Sequence, residues 1–160
     1  MRILFGIVLA ILLNLSSNAW ADTLRTTLSA EPAVGIEPGE VIQIVVDALR
    51  SNDSDSGDEG IALVWRFAAP SNKAITGPLP RFSQMIKRGF PDMLNHVASD
   101  YGPIRIEEDL AAQPVWLLTP SGDEVGYLFQ LRKQSSGEYE GMWMTESVYP
   151  LAPRRSGRSI

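Results

Sequence analysis

Apolar residues recur at helical spacing through the first half of the chain and at alternating spacing through the second. In "EVIQIVVDALRSND" Val41, Ile42, Val45 and Leu49 fall on one face, with Ile44 and Ala48 beside them. Pro38, just upstream, suits a first helical turn, where a missing N–H costs nothing. In "GIALVWRFAA" a second stripe is formed by Ile61, Val64, Trp65 and Ala68, and Pro70 reads as its stop. Residues 71–77 then read as an exposed connection in which Ser71, Asn72 and Lys73 satisfy the helix end. Thr76 or Gly77 caps a third helix that Pro78 opens, with Leu79, Phe82, Met85 and Ile86 as its buried stripe. Gly89-Phe90-Pro91 breaks that helix, and "DMLNH" adds one more turn.

From His96 onward the period becomes two. "HVASDYGPIRI" reads as a strand interrupted at Gly102-Pro103, followed by "QPVWLLT", "EVGYLFQLRK" and "GMWMTESVY". The third is the clearest, with Val125, Tyr127, Phe129 and Leu131 facing one way. The connections at 107–112, 120–123 and 134–140 are short and turn-like, which implies an antiparallel meander. Helices first and a meander after predict an α+β fold, with N-terminal helices packed on one face of a curved four-strand antiparallel sheet.

The ends of the chain change the picture. Met1-Arg2, the apolar run from Ile3 to Leu13 and the small residues Ala19 and Ala21 form a signal peptide over 1–21, cut after Ala21. The run is shorter than the ~20 residues of a spanning helix, and no later segment is apolar enough to cross a membrane. Residues 22–36 read as a flexible leader, 37–150 as one domain and 151–160 as a disordered basic tail. The chain is then exported, to a periplasm or, in a photosynthetic cell, a thylakoid lumen. Without Arg2, 13 basic residues face 19 acidic ones, a charge of −6 that argues against nucleic acid as a partner. With no cysteine there is no disulfide and no thiolate chemistry. Residues 51–60, "SNDSDSGDEG", read as an exposed acidic loop holding almost nothing that can be buried. Its spacing lacks the glutamate that closes a calcium loop.

Several pieces together resemble a known family. They are Gly60-Ile61 after the acidic loop, "FAAPSNK", "TGPLPRF" with Met85, "LNH", "YGP", "YLFQL" and "WMT". Over Pro38 to about Pro150 the chain resembles domain of unknown function 4864, and its element order resembles the cone-shaped nuclear-transport-factor-two-like, or cystatin-like, superfamily. The resemblance implies a cone cavity but no activity. The family pattern often carries Cys before the Trp of "WMT", where this chain has Met142.

The candidate chemistry is sparse. His96 is the single histidine, and with Asp100 four residues on it forms a candidate acid–base pair on one strand face. Strict alternation places Trp143, Thr145 and Ser147 on one face of the last strand and Met142, Met144 and Glu146 on the other, so Glu146 is a third acid–base candidate. Arg66 and Arg81 are candidates for an anionic ligand, and Asn72, Lys73 and Thr76 for the mouth of the cone. Trp65, Tyr127, Trp143 and Thr145 are candidates for the cavity wall. One histidine and no cysteine argue against a transition-metal site. No phosphate loop, nucleophile elbow or dinucleotide fingerprint is present, and no cofactor is expected. The leading expectation is a binding or accessory module for a small molecule or an envelope protein, using its cavity or sheet face, the latter also available to a homodimer. The alternative is a cofactor-independent enzyme using His96, Asp100 and Glu146.

Overall fold

The structure, a computed structural model, describes residues 28–52 and 57–154. The expected signal segment and the centre of the acidic loop lie outside the described residues. Four helices come first: α1 (Pro38–Arg50), α2 (Glu59–Arg66), α3 (Pro70–Thr76) and α4 (Leu79–Gly89). A 3₁₀ turn (Pro91–Met93) leads to five strands: β1 (Ala98–Tyr101), β2 (Arg105–Glu107), β3 (Leu110–Leu118), β4 (Glu124–Lys133) and β5 (Trp143–Leu151). The sheet is antiparallel throughout, in the order β1-β3-β4-β5, with β2 also paired to β3. The predicted α+β architecture is the observed one.

The helical stripes bury as their spacing dictates. Helix α1 buries Val41, Ile42, Val45, Ala48 and Leu49, and also Val46, which widens the stripe. It crosses α2 closely at Gly60, where an added Cβ would strike the carbonyl oxygen of Ala48 and stand 3.0 Å from Asn52 Oδ1.

Two readings of the first half need correction. The acidic segment is not free of buried side chains: Asn52 is only 4% exposed. Its Oδ1 accepts the Ile61 N–H at 3.1 Å and its Nδ2 donates to Asp58 at 3.2 Å. A short amide can be buried when both of its ends are satisfied. Asp58 also takes Lys87 Nζ at 2.6 Å and Ser83 Oγ at 3.3 Å, tying the loop to α4. Lys87, hydrogen-bonded to Asp58, holds its carboxyl below the usual range, and burial opposes this only in part. The second correction concerns Pro70. It does not stop α2, which ends at Arg66; it opens α3 as its first residue, and 71–76 are helical. A proline with fixed φ and no N–H serves either role, so the residue alone does not choose between them.

The segment between those helices pairs with the sheet. Thr145 N donates to Phe67 O at 2.8 Å, and Ala69 N donates to Thr145 O at 2.9 Å. This parallel bridge covers part of the free edge of β5.

The expected four strands are five because Gly102-Pro103 splits the first. Gly102 N donates to Pro114 O at 2.9 Å, and Gln113 Nε2 donates to Gly102 O at 2.8 Å. A Cβ on Gly102 would lie 2.7 Å from the Pro114 ring, so the interruption needs glycine. The face toward the helices carries Ala111, Val115, Leu117, Tyr127, Phe129 and Leu131, which join the helical stripes in one core.

Residues 28–36 and 151–154, the described parts of the leader and tail, touch the domain. Leu28, Ala30 and Ile36 pack against the core, because Arg66 holds this segment through Glu31 and the Leu28 carbonyl. Leu151 closes β5, and Arg154 lies 3.4 Å above the Trp116 ring while pairing with Asp100 at 2.8 Å. No described helix is long and apolar enough to cross a membrane.

The contact at Gly60 yields a direct test. Gly60→Ala is expected to lower stability by about 1–3 kcal/mol, because the obstructing atom is backbone and cannot swing away. Gly89→Ala, with open space around its Cβ, is expected to leave the melting temperature unchanged or slightly raised. Thermal unfolding of the two variants side by side checks both.

Candidate functional site

A cavity of about 230 Å³ lies between the helices and the inner face of the sheet. Its wall is apolar, built by Leu49, Val64, Phe82, Met85, Phe129 and Val148. Polar groups collect at one end, where Asn72 and Thr76 of α3 meet Thr145, Glu146 and Ser147 of β5.

An irregularity in the sheet arranges that end. Gln130 pairs with Ser147 and Leu131 with Thr145, which leaves Glu146 without a partner. This β-bulge overturns the strict alternation expected for the last strand. Thr145 and Val148 both lie on the inner face, opposite Leu131 and Phe129, while Ser147 lies on the outer face with Gln130. Ser147 Oγ donates to Gln130 Oε1 at 3.0 Å.

The polar end is hydrogen-bonded with one exception. Asn72 Nδ2 donates to Thr145 O at 3.1 Å, and Thr76 Oγ1 donates to Asn72 O at 2.8 Å. Ser71 Oγ donates to Glu146 Oε2 at 2.6 Å, and Arg132 Nε lies 3.5 Å from Glu146 Oε1. The exception is Thr145 Oγ1, buried on a residue only 3% exposed and without a hydrogen-bond partner among the described residues. Leaving a buried hydroxyl unpaired costs free energy, so such a group calls for an explanation.

On the other side of β5 a wider groove of about 590 Å³ runs across the outer face. Arg105, Glu107, Leu110, Arg132 and Tyr149 line it, and it shares Ile75, Glu146 and Ser147 with the inner cavity. A third depression, of about 460 Å³, involves Trp65, Arg66, Lys73 and Tyr139.

The candidates from sequence therefore separate. Asn72, Thr76, Thr145 and Glu146 come together at the cavity's polar end. Lys73 turns away, its Nζ 5.0 Å from the Tyr139 ring, 5.7 Å from the Trp65 ring and 3.3 Å from the Arg66 carbonyl. Trp65 packs on Phe82, ring centroids 5.1 Å apart, and Arg66 serves the leader. Arg81 is exposed, its stem against Gly77. Tyr127 and Trp143 are buried in the core, where burial pushes the Tyr127 hydroxyl up. The residues that spacing did not single out are Phe82, Met85 and Val148 as cavity wall. Amphipathic periodicity marks such positions as buried without telling core from cavity.

The candidate His96–Asp100 pair does not form. Asn95, at φ 55°, turns the chain before the strand begins at Ala98, so the two residues do not share a strand face. His96 is buried, and its Nδ1–H donates to Met93 O at 2.9 Å. Asp100 faces the other way, toward Arg154. Burial holds the His96 imidazole below its ordinary pKa, with the Met93 carbonyl pulling the opposite way, Arg50 lowering it and Asp47 raising it. His96 lines none of the three depressions described above.

Residues 36–156 match the family model described as Domain of unknown function (DUF4864), 121 of the chain's 160 residues. No curated protein and no solved structure matches the chain.

Two outcomes follow from these environments. Thr145→Val keeps the shape and the backbone bridge but removes the unpaired hydroxyl, and is expected to raise stability by about 1 kcal/mol. A thermal melt that falls instead would show that the hydroxyl has a partner. For His96 the folded-state pKa lies below the unfolded value near 6.5, so the unfolded chain takes up the proton first as pH falls. The stabilisation is complete above pH 6.5 and is lost downward through the window toward the folded pKa. Melting temperatures from pH 7.5 to 5 should therefore fall more steeply for the native protein than for His96→Gln.

Proposed function

The chain belongs to the DUF4864 family, and from that premise we propose that it is a non-enzymatic binding module for a small apolar molecule with one hydrogen-bonding end. The observation that carries this reading is the unpaired Thr145 hydroxyl at the polar end of an otherwise apolar cavity. Concave apolar space with a few placed polar groups is the usual form of a small-molecule site. The apolar wall takes the body of the ligand, and Thr145 Oγ1 donates to or accepts from its polar end.

The acid–base enzyme reading loses its support, because His96 and Asp100 lie apart and neither lines the cavity. Among the described residues Glu146 is the one carboxylate lining the cavity, and Ser71 and Arg132 already hold it. The proposal includes the cone-shaped nuclear-transport-factor-two-like superfamily, supported by helices followed by an antiparallel sheet with a cavity between them. It also includes export to the periplasm, supported by the basic start, the apolar run and the small residues at Ala19 and Ala21.

The test uses 1-nonanol as probe. At about 100 times its dissociation constant a ligand adds roughly 2.7 kcal/mol, a rise of several degrees in melting temperature for a domain of this size. The native protein is expected to show that rise. Val148→Phe, which fills the cavity from the sheet side, is expected to show none. No rise in the native protein, or an equal rise in both, would sink the cavity as the binding site.

A further inference from the structure

We propose that the inner cavity and the outer groove are two compartments of one site for a single-chain amphiphile with a zwitterionic head, whose tail fills the cavity and whose head lies in the groove. This rests on the reading that the inner cavity binds a ligand. The two spaces are contiguous in their lining: Ile75, Glu146 and Ser147 border both. They meet at the β5 bulge, where Glu146 drops out of register and the strand changes which residues face in and out. Ile75 stands at this junction 77% exposed, an apolar side chain that the neck of an amphiphile would cover.

The compartments differ in chemistry as the parts of an amphiphile do. The inner wall is apolar up to Thr145, whose unpaired hydroxyl suits the ester or phosphoester oxygen next to a head group. A dry cavity of about 150 Å³ takes a benzene, so about 230 Å³ takes an alkyl chain of roughly nine carbons.

The groove carries two cations, Arg105 and Arg132, and two anions, Glu107 and Glu146. Arg132 is occupied by Asp109 at 2.8 Å and by Glu146. No ion pair holds Arg105 or Glu107 among the described residues. Both are exposed, and they sit two apart on β2, on one face and about 7 Å along the strand. A head with an anion for Arg105 and a cation for Glu107 meets both. A purely anionic head would face Glu107 and Glu146, and a purely cationic head the two arginines.

The experiment is calorimetric titration of the full chain with n-nonylphosphocholine, n-nonyltrimethylammonium, nonanoate and 1-nonanol, each below its micelle concentration. The phosphocholine is expected to bind at least about tenfold more tightly than any of the other three. The double variant Arg105→Gln/Glu107→Gln is expected to remove that advantage while leaving 1-nonanol affinity unchanged. Both positions are exposed on a short strand, so the fold is expected to be retained. Val148→Phe is expected to abolish binding of all four probes. Equal affinities, a preference for nonanoate or the ammonium probe, or a preference that survives the double variant would overturn the zwitterionic site and leave the cavity reading standing. Phosphocholine binding that survives Val148→Phe would overturn the joining of the compartments. Failure of all four probes to bind would overturn both readings.

Discussion

Thr145 joins the helical layer to the sheet through its backbone. Its N–H goes to Phe67 and its carbonyl receives both Ala69 N–H and the Asn72 side chain. An edge strand with free N–H and C=O groups invites pairing with another chain, and here the connector between α2 and α3 covers part of that edge. Pro70 follows directly. Lacking an N–H, it cannot extend the pairing, and its φ suits the first turn of a helix. One residue thus ends a strand-like contact and starts α3, which then lies along the polar end of the cavity. The position of Asn72 and Thr76, the seat of Ser71 on Glu146 and the shape of the cavity mouth all depend on this clip.

How much of this was legible depended on whether the cause was local. Helical stripes and the alternation of β4 reflect burial with a fixed period, so Val41, Phe82 and Phe129 could be read inward from spacing alone. The helix at 70–76 could not. It buries no residue of its own, so no apolar stripe announces it, and its start is fixed by pairing with a strand more than 70 residues away. The bulge at Glu146 was hidden for the same reason: it is a mismatch between two strands, and neither strand's sequence records it alone. Asn72, Thr76, Thr145 and Glu146 were legible as polar residues near aromatic surface. That they converge, while Lys73, Arg66 and Arg81 turn elsewhere, is a tertiary fact.

The bulge resolves a conflict between packing and access. A regular β5 would continue its alternation through residues 145–148, and the edge would present one face uniformly to the helices. With Glu146 out of register, Thr145 and Val148 both face inward, and the charged residue sits at the border of the two faces. Ser71 and Arg132 hold it there, so the carboxylate keeps polar partners while standing beside apolar wall. The cost falls on Thr145, whose hydroxyl is enclosed without a mate, the kind of local expense that concentrates at sites selected for something other than stability.

The same clip bears on the order in which the chain can fold. The contacts that close the cavity join residues 73 and 75 positions apart, and the pair that seats Arg154 spans 54. Helices α1, α2 and α4 can form early from local contacts, whereas β5, the last of the described strands in chain order, completes the wall. Until it pairs, Phe129 lacks its Val148 neighbour and the cavity lined by Phe82 and Ile86 lacks one wall. Non-local closure of this kind slows folding. It also means that the core stays half-built, with one side of the cavity open, until β5 has paired with β4.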